Sequence, residues 1–125
     1  MPAFSPDDLH TLSTTNEVDI QPKRKNGELA RRKIIWIVVD RDQPYIRSVR
    51  GPAGAWYKAT LASGQALLHA GSTSWPVNLE LVTDADEIAR VSDALRTKYG
   101  KRWKQSTEAM LRDDVLSSTL RVVPA

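Results

Sequence analysis

The sequence predicts one α+β domain built mainly from antiparallel hairpins, with about six strands and short flanking helices, and three observations carry that expectation. Residues 34–39, Ile34-Ile35-Trp36-Ile37-Val38-Val39, are a six-residue apolar run rich in β-branched side chains, long enough for a strand buried on both faces. Residues 17–21 and 77–81 alternate apolar and polar, the period of a strand with one wet face. Turn residues punctuate the chain at Asn26-Gly27, Gly51-Pro52-Ala53-Gly54, Gly64 and Gly71. At 125 residues the chain is expected to form a single domain over 1–125, with a core that needs neither disulfides nor metal.

The chain opens on a helix start: Ser5 can cap, Pro6 suits the first helical position, and Asp7 and Asp8 favour the positive end of the helix dipole. Leu9 and Leu12 supply its apolar contacts. Val18 and Ile20 then share one face of a strand over 17–22. Asn26-Gly27, the pair favoured by a type I′ turn, is expected to fold that strand back onto 34–39. Asp40-Arg41-Asp42-Gln43-Pro44 reads as a loop rather than a tight two-residue turn, returning the chain as an extended segment over 45–50. The two segments are expected to pair at the centre of the sheet, with Trp36 in the core. A short helix over 55–62, closed by Gly64, follows the Gly-Pro corner, and 65–71 and 77–82 are further strands. Asp84, with Glu87 three residues on, opens a helix through Lys98 whose core face is Ile88, Val91, Leu95 and Tyr99, and Gly100 ends it. A short helix over 106–111 and a strand over 119–123, stopped by Pro124, complete the pattern.

Charge and residue usage narrow the function classes. Eighteen basic residues against fifteen acidic ones give a net charge of +3, a mild excess concentrated in Lys23-Arg24-Lys25, Arg31-Arg32-Lys33 and Lys98, Lys101, Arg102 and Lys104. Tyr99 and Trp103 interleave the last cluster, which suits nucleic acid by phosphate contact and stacking, yet cations near the negative end of a helix explain it more cheaply. Nucleic-acid binding therefore ranks last. The absence of Cys excludes a disulfide framework, a cysteine-type zinc cluster and a thiol nucleophile, and His10 and His69 lack neighbours at metal-ligand spacing. No apolar run approaches the ~18 residues of a membrane span and no signal-peptide pattern opens the chain, so a soluble, cytoplasmic protein is expected. No Ser-His-Asp set, P-loop or paired catalytic carboxylates emerge from spacing.

The chemistry concentrates after the second segment. Arg47, Ser48 and Arg50 lead into Gly51 and a following helix, so cations, a hydroxyl and loose backbone N–H groups gather at a strand-to-helix corner of the kind that binds phosphate. Arg47 and Arg50 have opposite parity, so one of them faces a given site and the other lies at an edge unless a bulge intervenes. Trp56 and Tyr57 are adjacent on a helix, one a core residue and the other a pocket wall.

The basic strand start over 27–33, Ile35-Trp36-Ile37-Val38, Tyr45-Ile46-Arg47-Ser48-Val49-Arg50-Gly51, Trp56-Tyr57-Lys58-Ala59 and Lys98-Tyr99-Gly100 together resemble a small bacterial family of unknown function. That family in turn is similar to the flavin-binding split barrels, which include pyridoxamine 5′-phosphate oxidases and deazaflavin-dependent nitroreductases. The resemblance implies a small antiparallel split β-barrel, a homodimer, and FMN or a deazaflavin as cofactor of an oxidoreductase. A non-redox ligand-binding module of the same fold is the alternative. It also implies cofactor-binding roles for Arg31, Arg32 and Lys33, for Ser48, Arg50 and Gly51, and for Trp56, Tyr57 and Lys58, with Leu61 on the same helix. The chain departs from the deazaflavin pattern ahead of the basic strand, where Lys25-Asn26-Gly27-Glu28 replaces a glycine- and serine-rich stretch.

Overall fold

The structure, a computed structural model, describes residues 3–125. Helix α1 (Pro6–Thr14) precedes strands β1 (Val18–Pro22), β2 (Lys33–Ile35), β3 (Val38–Asp40) and β4 (Gln43–Arg47). A 3₁₀ turn (Gly51–Ala53), helix α2 (Ala55–Ser63), strands β5 (Gln65–Ala70) and β6 (Thr73–Leu81), and helices α3 (Ala85–Tyr99) and α4 (Lys104–Ala109) follow. A 3₁₀ segment (Asp113–Ser118) and strand β7 (Thr119–Pro124) close the chain.

All seven strands form one antiparallel sheet in the order β2-β1-β5-β6-β7-β4-β3. The two edge strands, β2 and β3, are consecutive in the chain and separated only by Trp36 and Ile37. Two residues cannot bridge the width of a flat seven-stranded sheet, in which neighbouring strands lie about 4.8 Å apart, so the sheet curls until its edges nearly meet. This is the expected α+β split barrel.

The apolar run over 34–39 is therefore not one strand at the centre of the sheet. Ile35 pairs with Val18 of β1, whereas Val38 pairs with Tyr45 of β4, so the run serves both edges in turn. At the break, α3 supplies the missing partners: Ile37 N–H donates to Tyr99 Oη at 3.2 Å, and Ile37 O accepts from Lys98 Nζ at 2.7 Å. Trp36 is half-buried rather than core, its indole stacked on the Tyr99 ring with centroids 3.9 Å apart. Splitting the run accounts for the seventh strand.

The connection from β3 to β4 also differs from expectation. Asp40 pairs directly with Gln43, leaving Arg41 and Asp42 as a two-residue turn with φ of 52° and 62°. Two left-handed residues give the turn the twist of its flanking strands, and that match outweighs the local penalty on a non-glycine pair. Conversely, Asn26-Gly27 does not form a type I′ turn. Only Gly27 has a positive φ, its N–H donates to Arg24 O at 2.9 Å, and the turn closes a small Lys23–Leu29 bridge inside the longer β1–β2 connection. Strand β6 starts earlier than its alternation suggested and carries Pro76 within it; beside the end of β7, Pro76 O still accepts from Ala125 N–H at 2.9 Å.

Two apolar clusters flank the sheet. One fills the barrel with residues such as Val18, Ile20, Ile46, Leu68 and Leu120, covered by Leu12 of α1 and Tyr57 of α2. The other lies under α3, where Val91, Leu95 and Tyr99 meet Val38, Tyr45 and Met110. Ile46 faces the barrel interior, while Tyr45 and Arg47, of the other parity, face the helices. Asp84 caps α3 by accepting from Glu87 N–H at 2.8 Å, but the Glu87 carboxylate turns to the sheet instead of returning to the cap.

Candidate functional site

The place where the chain leaves β2 and the place where β4 ends lie opposite each other, with α4 beside them. Between them is a cleft of about 260 Å³ lined by Ile34, Ile35, Trp36, Arg47, Val49, Ser106 and Met110. Ile34 and Val49 remain 60% and 49% exposed, large apolar side chains with no cover. Lys33 and Arg50, their neighbours in the chain, are both exposed, and Lys33, next to Ile34 in β2, projects from the opposite face of that strand. No acidic residue lines the cleft.

Arg47 forms part of the wall and is only 2% exposed. Its Nε donates to Thr119 Oγ1 at 2.9 Å, Nη1 to Ser92 Oγ and to Met110 O at 2.9 Å each, and Nη2 to Ile88 O at 3.1 Å. One guanidinium thus ties β4 to β7, α3 and the end of α4. Burial, followed by the field of Arg96, lowers its pKa to about 10, which leaves it charged at neutral pH.

The phosphate corner takes a different form from the one the sequence suggested. Gly51 N–H donates to Ser48 O at 2.9 Å and Gly54 N–H to Gly51 O at 3.1 Å, so these backbone donors are used within the corner. The 3₁₀ segment Asp113–Ser118 packs over it: Ser48 N–H donates to Ser118 Oγ at 3.1 Å, and a Cβ on Gly51, whose φ is +61°, would stand 2.6 Å from Asp114 O. Ser48 Oγ is buried with no hydrogen-bond partner, and a Cβ on Gly54 would collide with it. An orphaned hydroxyl is a mark of a ligand site only if a ligand can reach it, and this one is sealed under backbone. The Ser48–Gly51 corner therefore offers no open donor to a cofactor phosphate, and the exposed cations nearest the cleft in the chain are Lys33 and Arg50.

None of the residues to which the resemblance gave a cofactor role lines this cleft: Lys33 and Arg50 are only chain neighbours of the lining residues Ile34 and Val49. Arg31 is exposed, and Arg32 pairs with Asp19 at 3.0 Å on the outer face of the sheet. Trp56, Tyr57 and Lys58 do not line the cleft. Tyr57 is the core residue of that pair, its hydroxyl donating to Ser117 O at 3.3 Å; Trp56 is half-buried edge-on to it, and Lys58 is exposed. Of the lining residues only Arg47 was singled out from the sequence; Ile34, Ile35, Trp36, Val49, Ser106 and Met110 were missed. The shared parity of Arg47 and Tyr45 was the available signal that Arg47 turns toward the helices.

A second polar cluster lies beneath α3. Glu87 accepts from Tyr45 Oη at 2.6 Å and, bidentately, from Arg121 Nε at 2.7 Å and Nη2 at 2.6 Å. These hydrogen bonds, from Arg121 first and Tyr45 next, hold its carboxyl down at about 2. Every acceptor and donor there is matched within the protein, so the cluster reads as a fastening of α3 to the sheet. A larger open groove of about 560 Å³ runs between β3 and α3 past Asp40, Arg90 and Lys98, but its charges are engaged, Arg90 with Asp40 at 3.1 Å and Lys98 with two backbone carbonyls. Among the described residues no group of three metal-ligating side chains converges, and no helix is long and apolar enough to cross a membrane.

Residues 8–122 match the model of a family described as uncharacterized protein conserved in bacteria, DUF2255. The chain belongs to that family. No curated protein matches it. Among solved structures, the DUF2255 chain is similar to the heme storage protein HutZ of Vibrio cholerae, with a TM-score of 0.64 at 8% identity over 99% of this chain and 92% of that one. It is similar to a pyridoxamine 5′-phosphate oxidase-like protein of Listeria innocua, TM-score 0.62, 10% identity, covering 93% and 89%. An F420-H2 dependent reductase gives a TM-score of 0.62 at 12% identity, covering 86% and 93%. At these identities the likeness shows a shared split-barrel fold and no more.

Proposed function

We propose that this DUF2255 protein binds a flavin-type cofactor, FMN or a deazaflavin, in the cleft between β2 and the end of β4, and acts as an oxidoreductase. The observation that carries this reading is the cleft itself: apolar walls from Ile34, Trp36 and Val49 and no acid in the lining, with the exposed cations Lys33 and Arg50 adjacent in the chain to Ile34 and Val49. Such a cofactor supplies the hydride chemistry when bound, which accounts for a site without an acid-base set. The protein's part is to wall the ring, pair with the phosphate at the lips and keep water out. At about 260 Å³ the cleft lies below the ~300 to 1,000 Å³ usual for small-molecule sites, and its apolar lips are open. A second copy of the chain covering Ile34 and Val49 would complete it, in keeping with a homodimer.

Heme fits less well. The lining offers no His, Tyr or Cys as an axial ligand, only the Met110 thioether. A non-redox ligand-binding module is the second reading, favoured by one observation, the closed Ser48–Gly54 corner. Titration of wild type and Arg50→Ala with riboflavin, FMN and a phosphorylated deazaflavin separates the two. The cofactor reading expects Arg50→Ala to weaken a phosphorylated ligand about tenfold, the scale of one charge-assisted contact, while riboflavin binding is unchanged. No binding of any flavin by wild type selects the non-redox module.

A further inference from the structure

Two formally charged side chains are buried among the described residues, Glu87 and Arg47, and only one of them has a counter-ion. Glu87 lies 2.6 Å from Arg121. Arg47 is paired with no carboxylate among the described residues; its partners are the hydroxyls of Thr119 and Ser92 and the carbonyls of Met110 and Ile88, all neutral. The ionised group whose field bears on it, Arg96, is another cation. A guanidinium has five N–H donors in a fixed plane, and these four bonds leave one, on Nη2, without a protein acceptor.

Tying elements together does not require a charge here. Replacing buried ionic groups by apolar side chains of similar volume is often neutral or stabilising, so an uncompensated cation is a poor choice for a purely structural bolt. Arg47, however, also lines the cleft, whose other walls are apolar apart from Ser106 and contain no acid. An anion entering that low-dielectric space would find the missing charge partner, and the remaining donor suits a small planar monoanion better than a phosphate dianion that needs several donors. We propose that the cleft is an anion pocket in which Arg47 pairs with the carboxylate of a small ring-bearing organic acid, the ring lying against Ile34, Trp36 and Val49. This goes beyond the cofactor reading: the two rings would take turns on the same walls, and only the small acid places its charge at Arg47.

The test is a titration of the purified 125-residue chain with benzoate, its neutral isostere benzamide, and inorganic phosphate at constant ionic strength. It is followed by methyl NMR of Ile34 and Val49 and by tryptophan fluorescence. Benzoate is expected to bind saturably, to shift both methyl groups, and to bind at least about tenfold more tightly than benzamide, with phosphate failing to displace it. Arg47→Met is expected to abolish the preference. Because that variant also loses ties to β7, α3 and α4, Ser106→Glu serves beside it: an exposed lining position where a new carboxylate competes for the guanidinium. It is expected to weaken benzoate about tenfold more than benzamide, with the melting temperature unchanged. Equal affinity for benzoate and benzamide in wild type, methyl shifts elsewhere, displacement by phosphate, or undiminished benzoate binding in Ser106→Glu overturns the proposal. A protein that binds FMN but shows no benzoate preference loses the anion pocket and keeps the cofactor reading; a benzoate preference without flavin binding does the reverse.

Discussion

Glu87 sits between Arg121 and Tyr45 with both carboxylate oxygens occupied, and the consequence is a pH dependence with a defined window. Its carboxyl is depressed from 4.5 to about 2, so the stabilisation it provides is complete above about 4.5 and is lost as pH falls toward 2. We expect it to amount to about 2 to 3 kcal/mol at neutral pH, and Glu87→Gln to lower stability there while flattening the acid limb between pH 4.5 and 2 in urea melts. Unchanged acid sensitivity in that variant would remove Glu87 as the cause. Arg47 yields a contrasting expectation. Arg47→Ala leaves a cavity and strips four acceptors, and should cost about 3 kcal/mol or more, whereas Arg47→Met keeps the stem volume and should cost clearly less. Ser48→Ala, which removes a hydroxyl with no partner, should be within about 0.5 kcal/mol of neutral and leave FMN affinity unaltered; a large loss of FMN affinity would show that Ser48 reaches the ligand. None of these environments was legible from residue type. Ser48 in a Ser-x-Arg-Gly segment looks like a phosphate ligand until the 3₁₀ segment Asp113–Ser118, distant in sequence, is seen to cover it.

At the scale of elements, the turn joining β3 and β4 is the least comfortable piece of backbone, with Arg41 and Asp42 both left-handed. Left-handed conformation costs a non-glycine residue about 1 to 2 kcal/mol, and Asn-Gly is the pair that suits the geometry. The double substitution Arg41→Asn/Asp42→Gly should therefore raise stability by about 1 kcal/mol in chemical denaturation. A loss would mean that the turn residues have tertiary partners that the geometry does not show. This turn was invisible in the sequence because a charged Asp-Arg-Asp stretch carries no glycine signal, while the visible Asn26-Gly27 signal marks a turn of another type. Elements with caps fared better. Ser5 closes a capping box with Asp8, Asp84 caps α3, and Gly64 ends α2 at φ 72°, all at the expected places, because caps are local. The run over 34–39 was legible as extended but not as two strands, since apolar periodicity cannot report that neighbours change from β1 to β4 at Trp36.

For the whole molecule, the α+β class and the antiparallel pairing followed from alternation and turn signals, whereas barrel closure depends on which strands become edges, a property of the entire sheet order. The cleft inherits that dependence: it exists because the edge strand β2 and the end of β4 are brought face to face, so its lining draws on residues 34–36, 47–49 and 106–110, which no local motif links. Its open apolar lips carry the assembly prediction. Ile34→Lys, at a position 60% exposed, should leave monomer stability within about 0.5 kcal/mol yet weaken self-association in sedimentation velocity. Unchanged self-association would place any interface elsewhere. Whether a flavin-type cofactor binds in this cleft is read from a titration of the methyl-labelled protein with FMN. Saturable shifts are expected at Ile34, Ile35, Val49 and Met110; saturable shifts confined to the other groove, at Val38, Val39 and Ala94, or no FMN binding at all, rule the cleft out as the cofactor site.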